Sequence, residues 1–197
     1  MASCLHVSRD SHQMSARGGG LRSGVGGMRL FLLTVVTAAL LGPACDPIVG
    51  TGPGMPPDPG KYIRVDADAR AAVVVLIAGY PATDNQFNYN GYGNGDLLLR
   101  VPIEWQITIQ CENHGTVPNS CAVVSNGKDT RPLEPGWSTP DPRRGLDPGQ
   151  SASFVFIPST PGSYRIASLV GGNEASGMWL VLEVVGQGVP TLTAPAS

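Results

Sequence analysis

Short apolar runs separated by turn residues make up the body of the chain. In residues 105–111 (WQITIQC) the alternation is clean. Trp105, Ile107, Ile109 and Cys111 fall on one face, and Gln106, Thr108 and Gln110 on the other, the period-2 pattern of a half-buried strand. Ala71–Ala78 (AAVVVLIA) is a continuous apolar run of strand length and predicts a buried strand. Further strands are expected at residues 96–101 (DLLLRV), 120–124 (SCAVV), 151–157 (SASFVFI), 163–169 (SYRIASL) and 178–185 (MWLVLEVV). No window of helical periodicity competes with them. Strands at this spacing, joined by Gly- and Pro-bearing turns, argue for an all-β, two-sheet antiparallel sandwich over residues 61–186. Residues 126–149, rich in Pro and charge, form the one long excursion and are expected to lie outside the sheets.

Composition supports this picture and adds a compartment. The 197 residues include 26 Gly and 18 Pro, which suits loop-rich β structure better than helices. Of 13 basic and 15 acidic residues, four (Arg9, Arg17, Arg22, Arg29) and one (Asp10) precede residue 45, so the remainder carries a net −5. A mildly acidic body offers neither a nucleic-acid footprint nor a basic face for anionic lipid. Residues 28–46 (MRLFLLTVVTAALLGPACD) read as a secretory signal: Arg29 flanks a short apolar run, and small residues lead to Cys45. The run is too short for a comfortable transmembrane span. Its place before a cysteine resembles a bacterial lipoprotein signal, which implies acylation of Cys45 and an extracytoplasmic, membrane-anchored protein. The alternative is cleavage near Ala44, leaving a soluble protein with a spare thiol. Residues 1–27 then read as an extended leader or upstream translation. Residues 46–60 (DPIVGTGPGMPPDPG) read as a Pro/Gly-rich tether, and 187–197 as a disordered tail.

Cys111 and Cys121 remain in the body. Alternation turns both toward the core, either as a disulfide, which an oxidising compartment favours, or as two buried free thiols.

Two stretches, FNYNGYGNGDLLLRVPIEWQITIQCEN (residues 87–113) and ASGMWLVLEVV (residues 175–185), resemble the sulfocyanins, a family of membrane-linked blue copper proteins. The resemblance implies a cupredoxin-like Greek-key sandwich. It also implies a copper site made from a His after a Pro and from a Cys, a His and a Met at C-x4-H-x4-M spacing. A thiolate and two imidazoles suit copper in a trigonal site, with a weak axial thioether. On that pattern Asn119 (after Pro118) stands at the first His, Ser168 at the Cys, Asn173 at the second His and Met178 at the axial Met. A hydroxyl and two amides are poor copper donors. The expectation is therefore a domain that has lost type 1 copper, holds no cofactor and acts as a binding or structural module. Asn119, Ser168 and Asn173 would either close the site by mutual hydrogen bonds or line a small polar pocket.

The alternative is a copper-binding electron-transfer protein of the sulfocyanin type, its site rebuilt from Met178, His114 or a thiol. An envelope redox complex is the expected protein partner. No catalytic motif appears, His114 is the only histidine of the body, and a non-enzymatic role is expected. Asp66 and Asp68 share a face that reads as solvated, and Arg143 and Arg144 as surface charge.

Overall fold

The computed structural model describes residues 56–81, 85–125 and 129–194. The expected leader with Cys45, and the tether as far as residue 55, lie outside the described residues. Among the described residues, no helix is long and apolar enough to cross a membrane.

Two sheets form the sandwich. One contains β1 (Ile63–Asp66), β2 (Ala71–Ala78), β4 (Gln106–Asn113) and β6 (Ser151–Phe156), in the order β1-β2-β4-β6. The other contains β3 (Leu98–Pro102), β5 (Ala122–Val124), β7 (Gly162–Ala167), β8 (Trp179–Val185) and β9 (Thr191–Thr193), in the order β5-β7-β8-β3-β9. The all-β sandwich expected from the alternation is present, but the sheets are mixed. β2 runs parallel to β4, with Ala71 opposite Gln106, and β3 runs parallel to β8, with Leu98 opposite Val181. The chain leaves the first sheet after β2, places β3 in the second, and returns to β4 in its original direction. Such crossovers give parallel neighbours, and period-2 alternation carries no information about strand direction.

The core lies between the inner faces. Alternate residues of β2 (Val74, Leu76) and β4 (Ile107, Ile109, Cys111) meet Leu99, Val101, Ile166, Leu180 and Leu182 from the second sheet, all in one buried apolar cluster. β1 pairs only with the first half of β2. Past its end the buried Asn90 amide takes over, accepting from the Ile77 N–H at 2.6 Å and donating to the Val75 carbonyl at 2.9 Å. The Cys111–Cys121 disulfide joins β4 to the segment entering β5, and so joins the two sheets. It settles the choice left open by the sequence.

Two terminal expectations need correction. The stretch 187–197 is not a disordered tail throughout. Residues 191–193 form β9 on the edge of β3, and Leu192 is buried against the core. Three residues among prolines are too few to show a period, so only the partner strand reveals them. The far end of the expected tether also folds onto the domain. Asp58 caps a 3-10 turn at Pro59–Tyr62, and the Pro57 carbonyl accepts from the Tyr92 hydroxyl. Residues 129–149 lie outside the main strands as expected, yet they cover the core. Leu133 and Trp137 bond the backbone of Val123, and Leu146 pairs with Asn119.

Candidate functional site

Two loops at one end of the sandwich, with the end of β4, build the site. The first loop, residues 114–121, leaves β4 and carries Pro118, Asn119 and Ser120 into β5. It is pinned by a bridge in which the backbones of Asn119 and Leu146 exchange hydrogen bonds. The excursion lies so close there that a Cβ on Gly145, which has φ +81°, would sit 2.9 Å from the Asn119 carbonyl oxygen. The second loop runs between β7 and β8 and carries Ser168, Asn173 and Met178. It is closed on itself: the Met178 N–H donates to the Asn173 carbonyl at 3.0 Å, and the Ser168 N–H to the Met178 carbonyl at 3.1 Å.

All four residues are buried, and the side chains of three of them touch. Asn173 Nδ2 donates to Asn119 Oδ1 at 2.9 Å, to the Pro118 carbonyl at 3.0 Å and to Ser168 Oγ at 3.2 Å. Asn119 Nδ2 in turn donates to Asn113 Oδ1 at 3.0 Å and to the Val117 carbonyl at 3.2 Å. Ser168 Oγ also accepts from the Ser120 N–H, and Ser120 Oγ accepts from the Leu169 N–H. Met178 is fully buried in the apolar core, and its backbone bonds those of Ser168 and Asn173.

Two members of this network were not singled out from the sequence. Asn113 donates to the carbonyls of Val117 and Leu146 and accepts from the Gly115 N–H. Its signal was legible: it continues the apolar face of Ile107, Ile109 and Cys111, where an amide needs a buried partner. Ser120 carries no such signal. Beneath the network the Tyr89 hydroxyl donates to the Ser120 carbonyl. Burial pushes the phenol's pKa far above its ordinary value, and the charge of Glu174 adds to the shift.

The groups expected to rebuild a metal site are placed otherwise. Both thiols are consumed in the disulfide. His114 is exposed and faces Glu112, its Nε2 3.1 Å from Oε2. Among the described residues, no three His, Cys, Asp or Glu side chains gather where a metal could be held. The Asn119, Ser168 and Asn173 donor set does not fit type 1 copper. It offers no thiolate and no imidazole, and its lone pairs and protons are turned on one another.

Residues 59–195 match the family model of the sulfocyanin (SoxE) domain. The chain belongs to the sulfocyanin domain family. It is 26% identical over 126 residues to sulfocyanin of Sulfolobus acidocaldarius, a match covering 57% of this chain and 63% of that protein. The chain thus spans less than two thirds of that relative's length. Among solved structures it is similar to reduced auracyanin from the photosynthetic bacterium Roseiflexus castenholzii, with 19% identity and a TM-score of 0.44 over 57% of this chain and 96% of that one. Reduced rusticyanin is similar as well, with 17% identity and a TM-score of 0.45 over 64% of this chain and 91% of that one.

Proposed function

We propose that this sulfocyanin-family domain no longer takes type 1 copper and works outside the cytoplasm as a non-enzymatic binding or structural module, held to the membrane by acylated Cys45. The observation that carries the reading is the Asn173 amide. It ties the loop before β8 to the loop before β5, and it bonds the hydroxyl and the amide that stand at two other ligand positions. Loops that a metal would otherwise join are joined here by neutral hydrogen bonds, which leaves no need for a cation between them. The same end of the sandwich is where an envelope redox protein would dock.

Titration of the pure protein with copper(I) and copper(II), followed by visible absorption and calorimetry, tests the loss. No intense visible band and no saturable tight binding are expected. A blue band or stoichiometric binding tighter than micromolar overturns the reading in favour of a copper-binding electron carrier. Fractionation tests the anchor: Cys45→Ala should move the protein from membrane to soluble fraction, and an unchanged distribution refutes it.

A further inference from the structure

Beside the buried network the second loop opens onto a cleft of about 620 Å³, walled by that loop and by parts of residues 129–143. This volume lies within the roughly 300–1,000 Å³ range of small-ligand sites. Two arginines, Arg143 and Arg165, stand in its wall. Arg165 on β7 uses Nη1 to bond Glu174 at 3.0 Å, while its Nε is the one buried side-chain nitrogen or oxygen without a partner among the described residues. Arg143 lines the cleft and makes no ion pair among the described residues, unlike Arg144, which faces Asp147.

The Arg165 guanidinium is also held in place. It lies 3.9 Å over the ring centroid of Trp179. The indole's six-membered ring lies against Gly95, where a Cβ would come within 2.3 Å of Cζ3. Trp179 therefore acts as a clamp on Arg165, and a pre-organised guanidinium loses little freedom on binding.

We propose that this cleft binds a small organic monocarboxylate, with the guanidinium groups of Arg143 and Arg165 on its oxygens and its apolar body on Leu169 and Val170. A carboxylate offers planar oxygens that fit guanidinium forks. The carboxylates of Asp129 and Glu174 in the same wall, already engaged by Ser125 and Arg165, disfavour a more highly charged phosphate. The proposal rests on the binding-module reading and names the ligand class of that module.

Benzoate and isobutyrate are titrated into the 15N-labelled protein, with benzamide, isobutyramide and inorganic phosphate as controls. Saturable shifts are expected at the Arg165 Nε–H and at the backbone N–H groups of residues 169–172. Arg143→Gln should weaken benzoate by about tenfold or more, the loss of one charged hydrogen bond, and Arg144→Gln by less than about twofold, as expected for an exposed charge outside the cleft. The proposal is overturned by any of four results: no saturable benzoate shift, an equal response to benzamide, phosphate binding as tight as benzoate, or indifference to Arg143→Gln. Carboxylate and copper titrations read separate signals. Failure here with no copper uptake leaves the copper-loss reading standing, and copper uptake with benzoate binding leaves only the cleft.

Discussion

Asn173→Ala tests whether the polar network holds the two loops together. The Asn173 amide is 5% exposed and offers two protons to three acceptors, so one bond is shared. Truncation removes about two effective hydrogen bonds and leaves Asn119 Oδ1 with no donor. Each net bond contributes about 1 kcal/mol, and a stranded buried acceptor costs roughly 1–3 kcal/mol more. The expected loss is therefore about 3–5 kcal/mol. For a domain of this size that corresponds to a fall of roughly 10–15 °C in melting temperature.

The assay is urea unfolding followed by tryptophan fluorescence, with slope and midpoint fitted separately. Ser153→Ala, on the exposed face of β6, serves as a surface control and should stay within about 0.5 kcal/mol. Asn173→Asp adds a second readout. It keeps the shape but replaces the donor with a carboxylate facing three oxygens in a buried site, which raises the pKa of the introduced group. A folded pKa raised above the unfolded value stabilises below the unfolded pKa and loses that stabilisation as pH rises through the folded one. The deficit of this variant against wild type should thus shrink as pH falls toward about 4. An Asn173→Ala loss under about 1 kcal/mol, or a pH-independent Asp deficit, would refute the assignment of the loops' closure to this amide.

Replacing both Cys111 and Cys121 by Ala should cost about 3 kcal/mol by loop-closure entropy for a bridge between residues separated by 10. Urea midpoints of the two proteins decide it, and a loss below about 1 kcal/mol would mean the sheets are already held without the bridge. Tyr89 gives an alkaline signature. Its folded pKa is raised by burial and then by Glu174, so the folded state keeps a proton that the unfolded chain releases near pH 10. The stabilisation is complete below about pH 10 and declines above it, by up to about 1.4 kcal/mol per pH unit. Urea melts at rising pH should show a steeper decline in wild type than in Tyr89→Phe, which keeps the burial-raised Tyr62 and Tyr92, and parallel curves for the two proteins would refute it.

Much of the sandwich was legible because burial repeats with the strand period. Trp105, Ile107, Ile109 and Cys111 were assigned to the core from alternation alone, and all four are buried. What alternation cannot carry was missed. The parallel pairing of β2 with β4 depends on where the chain goes between them, and β9 on a partner strand nearly a hundred residues earlier. The Cys111–Cys121 bridge was one of two readings, since facing the core is compatible with a bond or with two thiols. In the site, the spacing of Ser168, Asn173 and Met178 was readable, but the hydrogen-bond partners were not. Which acceptor the Asn173 amide meets depends on how residues 114–121 are bent by Leu146 and the Gly145 turn, a contact across the fold. Asn113 is the instructive omission, because an amide on an otherwise apolar face already announces a buried polar partner.

The polar residues of the two loops form one unit, and this bears on how such a site can change. Asn173 supplies two protons to three oxygens, Asn119 passes protons on to Asn113 and Val117, and Ser168 accepts from two N–H groups. An imidazole at residue 173 would bring one ring N–H in its neutral form, so at least one oxygen now served would be stranded. A thiol at residue 168 would be a weaker acceptor for both N–H groups that point at the hydroxyl. Either change alone lowers stability while still leaving too few soft or imidazole donors for copper. A change toward a metal site therefore crosses destabilised intermediates unless several positions change together. Exchanges that keep donors and acceptors balanced carry no such penalty, so the network resists single substitutions toward metal ligands.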